Sequence, residues 1–171
     1  MTRPPLPTLL IPAILALTLA GCGTHDEGSD VNQSLTVEEA KAVAQSVETE
    51  LAAFIPPDIV VSVDQRPSGV LLRCRADGSY QWTGATTVRI APGKRVDAKA
   101  LTSEIVAAYD GRNSFVAAVE QTSDGEPRAH IVGPDSAGYL VSEDPDRAGV
   151  RIASFSPCFE LQEGLSPGGS Y

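Results

Sequence analysis

The chain has 171 residues, 13 of them basic and 22 acidic, for a net charge of −9. That balance excludes a protein that neutralises nucleic-acid phosphates and one that grips anionic lipid through a polybasic surface. Hydrophobic residues make up 42%, enough for one ordinary core, whereas two histidines and three cysteines supply little material for a metal centre.

Arg3 is followed by an apolar run from Leu6 to Leu19 that contains no charged residue. The run falls short of the roughly 20 residues of a membrane span and has the length of a signal-peptide core. It ends in Leu19-Ala20-Gly21-Cys22, which resembles the lipobox of bacterial lipoprotein precursors. Small residues fit a narrow peptidase site, and Cys22 supplies the thiol for diacylglyceryl transfer. A signal peptide over residues 1–21, lipidation at Cys22 and an extracytoplasmic, membrane-anchored location in the cell envelope are therefore expected. Two or more acyl chains, each contributing about 0.8 kcal/mol per buried CH₂, anchor stably. The membrane, through the lipid on Cys22, is then one partner, and an envelope protein or ligand of unknown identity is the other. With Cys22 acylated, Cys74 and Cys158 remain as an even pair, which in an exported protein reads as a disulfide.

Residues 22–33 are polar and rich in Gly and Asp, as a flexible tether requires. Thr36-Val37-Glu38-Glu39 fits a capping box, and Ala40, Val43, Ala44, Val47, Leu51 and Phe54 recur at helical spacing until Pro56-Pro57 stops the helix. Three strands follow. Ile59–Val63 is β-branched, Val70–Arg75 ends at the Asp77-Gly78 hairpin signal, and the long run Tyr80–Ile90 carries Gly84 as a candidate bulge. Asp97 is placed to cap a second helix with the stripe Leu101, Ile105, Ala108 and Tyr109, and Gly111 to terminate it. Four more strands are expected at 114–121, 128–132, 139–143 and 150–155, and residues 164–171 read as a disordered tail.

This order predicts a single α+β domain over 34–163, with two helices packed on one face of a mostly antiparallel sheet. A tandem αβββ repeat is one reading of the two halves.

The lipobox, first helix, Ile55-Pro56-Pro57, mid-chain Cys74, second helix and closing Cys158-Phe159-Glu160-Leu161-Gln162 resemble the LppA-type lipoproteins of mycobacteria and related bacteria. The likeness lies in layout and short fragments over most of the chain after Cys22. It implies the disulfide, the α+β fold and the envelope location, and it brings no catalytic residues.

Enzyme signatures are missing: there is no nucleophile elbow, phosphate loop or zinc helix, and no catalytic residue, metal or cofactor is expected. His25 falls in the tether, and His130 reads as an exposed strand residue. Asp144–Gly149 starts like a calcium loop but fails at Ala148 and Phe155, so a tight turn is the better reading. Tyr80 and Trp82 share a strand face with Val88 and Ile90, which suits core packing better than ligand stacking. On the inferred polar strand faces stand Arg73, Arg75, Arg89, Arg128 and Arg151. Arginine grips carboxylate and phosphate in a fork, which makes these five candidate anion-binding residues. Cross-strand pairing with Asp64, Glu120 and Glu143 is the ordinary alternative. The leading expectation is a non-enzymatic binding or scaffolding lipoprotein, with a carrier of lipid or a small apolar ligand, or an envelope enzyme, as alternatives.

Overall fold

The computed structural model describes Asn32 and residues 34–74, 78–144, 146 and 149–171. Cys22, His25 and Arg75, and most of the signal and tether segments, lie outside the described residues.

Helix α1 (Val37–Ala52) begins as the capping box requires. Thr36 Oγ1 accepts from the Glu39 N–H at 3.2 Å, while the Thr36 N–H donates to the Glu39 carboxylate at 2.9 Å. Its buried row is Val37, Ala40, Ala44, Val47, Glu48 and Leu51. Val43, assigned to the stripe by spacing, falls at the edge of this row and is 41% exposed. A carboxylate at position 48 has taken a place in the buried row.

Strands β1 (Val60–Gln65), β2 (Val70–Arg73) and β3 (Ser79–Ile90) follow. Helix α2 (Ala98–Tyr109) starts at Asp97, whose carboxylate accepts from the Ala100 N–H at 3.0 Å. Gly111 ends its C-terminal turn with φ 76°, a conformation that suits a residue without Cβ. Strands β4 (Val116–Gln121), β5 (Pro127–Val132), β6 (Gly138–Glu143), β7 (Gly149–Phe155) and β8 (Phe159–Glu160) complete the chain.

Among the described residues these eight strands form one antiparallel sheet in the order β1-β3-β7-β6-β5-β4, with β2 and β8 also paired to β3. The architecture is thus α+β. The halves use their strands differently: β1 and β2 lie along the same edge of β3, whereas β4 to β7 run as a meander.

One face of the sheet carries both helices. The larger core joins Leu51, Ile105 and Tyr109 from the helices to Val88, Ile131 and Ile152 from the sheet. A smaller core beside it holds Val37, Ala40, Ala44, Leu71, Trp82 and Phe159. Trp82 is fully buried, as alternation predicted. Gly84 is not at a bulge: the β3–β7 register runs through it without a shift, and the irregularity lies between Val60 and Ser62 in β1. Gly84 instead makes room for the indole, because a Cβ there would lie 2.1 Å from the Trp82 ring.

Cys74 and Cys158 stand at bonding distance, with sulfurs 2.11 Å and Cα atoms 6.3 Å apart. They tie the end of β2 to the residue before β8.

Two expected boundaries need correction. Residues 164–171 are not a disordered tail. Tyr171 exchanges backbone hydrogen bonds with Gly69 (2.7 and 3.1 Å), Ser170 bridges Val70, and the Tyr171 carbonyl accepts from the Trp82 indole N–H at 3.0 Å. The tail thus supplies partners to the β2 edge and to a buried donor. At the other end, Asn32 already belongs to the fold: it bridges Phe159, its N–H donates to the Cys158 carbonyl at 2.8 Å, and its amide donates to Asp135 at 3.2 Å.

Candidate functional site

Strand register decides which of the candidate arginines share a surface. Arg151 pairs with Thr87 and Ser142, Arg89 with Ser62, and Arg128 with Glu120. All three stand on the parity opposite to Trp82, Val88 and Ile152, on the face without helices. Arg73 does not share their strand face. It lies opposite Tyr80, on the helix-side parity, with its guanidinium 6.0 Å from the Tyr80 ring centre.

Two of the three open-face arginines already hold carboxylates. Arg89 Nε donates to Asp64 at 3.1 Å, and Arg128 donates to Glu120 at 2.7 Å. These are cross-strand pairs of half-exposed groups, contributing about 0.2–1 kcal/mol each. Glu120 also stands 2.7 Å from His130 Nδ1. Its carboxyl is held below the usual carboxylate range, first by Arg128 and then by His130. Arg151 has no ion pair among the described residues. Among the described residues, the arginine-rich face therefore reduces to a single guanidinium without an ion pair, flanked by two paired ones.

Around Arg151 the open face is more apolar than alternation suggested. Leu140 pairs with Ala153, Gly138 with Phe155, and Val116 with Val132; Val116 is 65% exposed. At the β8 end this face dips into a groove of about 470 Å³, lined by Arg73, Gln81, His130, Val132, Phe155 and the disulfide, so Arg73 reaches the groove although its strand position has the other parity. One wall is the turn 134–136, where Asp135 and Ser136 adopt φ of 52° and 60°. The Gln81 amide donates to the Ser136 carbonyl at 2.6 Å, the Cys158 N–H donates to the Asp135 carbonyl at 2.7 Å, and Asn32 holds the Asp135 side chain. Contacts on three sides keep that left-handed pair in place. The groove wall thus rests in part on Asn32.

A second, more enclosed cavity of about 260 Å³ opens on the helix side, between the first turns of α2, the β3–α2 connection and the ends of β6 and β7. Its size lies below that of pockets for drug-sized ligands, about 300–1,000 Å³.

Sequence reasoning missed the polar cluster under α1. Glu48 is fully buried. Its carboxylate accepts from Thr86 Oγ1 at 2.7 Å, from Gln65 Nε2 at 2.9 Å and from the Ser154 hydroxyl. Thr86 and Ser154 lie on the helix-facing parity of β3 and β7, two hydroxyls where alternation calls for apolar side chains. With Thr86 and Ser154 both buried and three donors on the carboxylate, the cluster docks α1 on the sheet and offers no surface to a substrate.

Nearby, Tyr109 donates to Glu50 at 3.2 Å, and Arg112 reaches the same carboxylate at 3.1 Å. Burial, then the Glu50 charge, pushes the Tyr109 hydroxyl up to about 12, with Arg112 opposing in part. Tyr139 is also displaced upward, by burial first and then by Tyr109, Glu48 and Glu50. Folding therefore favours the protonated phenols. Their contribution to stability is complete below the ordinary value of 10.0 and is lost as pH rises through the folded values. A tyrosinate absorbance titration should show part of the signal appearing only near pH 12, with unfolding following it. Tyr109→Phe should remove one delayed component.

No cluster of three metal-ligating side chains occurs among the described residues, and no described helix is long and apolar enough to cross a membrane. Comparison with protein-family models, with curated proteins and with solved structures finds no match for this chain.

Proposed function

We propose that the chain is an exported lipoprotein, held at a membrane of the cell envelope by lipid on Cys22, whose folded domain is a non-enzymatic binding module. The observation that carries this reading is the lipobox Leu19-Ala20-Gly21-Cys22 behind an apolar run, with Asn32, only ten residues further on, already held in the fold. Ten residue steps reach about 35 Å when fully extended, so an anchored domain works close to the lipid surface. The likeness in layout to LppA-type lipoproteins points the same way.

The binding surface in this reading is the open sheet face. It offers apolar contact around Leu140, Phe155 and Val132 and, at Arg151, a guanidinium without an ion pair among the described residues, a mixture that suits an envelope partner bearing carboxylate or phosphate groups. Carriage of a lipid between helices and sheet is disfavoured, because the larger core fills that space and the cavity of about 260 Å³ sits at its rim.

Fractionation of cells tests the anchor. The natural chain should sediment with membranes and partition into detergent, whereas Cys22→Ala should move to the soluble or uncleaved-precursor fraction. A Cys22→Ala chain that has lost residues 1–21 and is still retained on membranes as fully as the natural chain would refute it. Arg151→Glu tests the face separately: loss of a site-specific cross-link from position 140, with anchoring intact, is expected.

A further inference from the structure

We propose that the cavity at the α2 rim is a binding site for a small aliphatic α-amino acid, taken as its zwitterion. The floor is apolar and continuous with the larger core: Ile90, Val96, Leu101 and Val150 line it. A folded chain rarely leaves such side chains under an enclosed concavity with charged walls, and a ligand pocket has this composition: an apolar bed with a few orienting polar groups.

The charges on the walls select the ligand. Lys94 and Arg95, in the connection from β3 to α2, line the mouth, and neither has an ion pair among the described residues. Glu143, at the end of β6, lines the cavity on the sheet side, also without an ion pair among the described residues. It pairs with Val150 in the sheet and so stands on the helix-side parity, beside the floor. A simple carboxylate would satisfy Lys94 and Arg95 but suffer repulsion from Glu143. A simple amine would meet the reverse. A molecule carrying both charges on one carbon, with a branched aliphatic tail, satisfies the cations, the carboxylate and the floor together. A volume of about 260 Å³ admits a molecule of leucine size and excludes a peptide of several residues. Thr102, on the helix wall, spends its hydroxyl proton on the Ala98 carbonyl at 2.8 Å, so it offers the ligand only an acceptor.

The site is independent of the anchor, and its test does not depend on the anchor's fate. The full chain in detergent is titrated calorimetrically with L-leucine, isocaproate and isoamylamine. Leucine should bind saturably at one site. Isocaproate, lacking the ammonium, and isoamylamine, lacking the carboxylate, should each bind about tenfold more weakly or worse, the value of one charged hydrogen bond. The double variant Lys94→Gln, Arg95→Gln should weaken leucine by a similar factor and strengthen isoamylamine, whose ammonium the two cations repel. Glu143→Gln should weaken leucine and strengthen isocaproate, whose carboxylate Glu143 repels. All three positions are on the surface or its margin, so unchanged unfolding midpoints will accompany these shifts. Absence of saturable binding at millimolar leucine, equal affinity for the two truncated analogues and leucine, or indifference to both variants would overturn the proposal.

Discussion

Reducing the Cys74–Cys158 pair, or replacing Cys158 by Ser, is expected to lower the unfolding free energy by about 2–5 kcal/mol. The bond closes a loop spanning a sequence separation of 84 residues, and a cross-link of that length removes much of the conformational freedom of the unfolded chain. The loss should be concentrated where the bond sits. Cys158 donates its N–H to Asp135 and accepts from Asn32, so the groove wall and the entry of the chain depend on its position. Urea unfolding followed by the fluorescence of Trp82, the single tryptophan, measures the effect. A midpoint unchanged by reductant would show that the bond constrains nothing.

Glu48→Ala should cost about 3–5 kcal/mol, as much as any other single change in the core. The substitution removes the acceptor for three donors. Buried Thr86 and Ser154 hydroxyls are left unpaired, each at about 1–3 kcal/mol, and a cavity opens beneath α1. The triple variant Glu48→Leu, Thr86→Val, Ser154→Ala separates the hydrogen bonds from the packing. Replacing the two buried hydroxyl partners by apolar groups of similar shape, while the Gln65 amide keeps its bond to the Gln45 carbonyl, leaves no buried hydroxyl unsatisfied, so this variant should be more stable than Glu48→Leu alone. If the two unfold at the same denaturant concentration, the hydrogen bonds to Glu48 are not what docks the helix.

Much of this fold could be read from neighbouring residues. The capping box at Thr36, the Asp97 cap, Gly111 and the alternation that buries Trp82 are all local arrangements, complete within a few residues of chain. What escaped reading depends on distant partners. Val70-Leu71-Leu72 is apolar at both parities, so alternation within β2 cannot choose a face for Arg73; pairing with β3 puts it opposite Tyr80. Glu48 looks like any exposed helix carboxylate until β3 and β7 bring Thr86 and Ser154 beneath it. The Gly- and Ser-rich end of the chain carries no periodic signal, yet its backbone satisfies Gly69 and the Trp82 indole. For the arginines, the residue types suggested an anion face. The ordinary alternative, cross-strand pairing with Asp64 and Glu120, was legible too and holds for two of them, leaving Arg151 without an ion pair among the described residues of that face.

The most direct test of the proposed anchored module is the mass of the N-terminal peptide from protein isolated out of membranes. The account predicts a mature chain that begins at Cys22, with that cysteine heavier than its unmodified form by a diacylglyceryl group. A chain that still begins at Met1, or one that begins elsewhere with an unmodified Cys22, would contradict it.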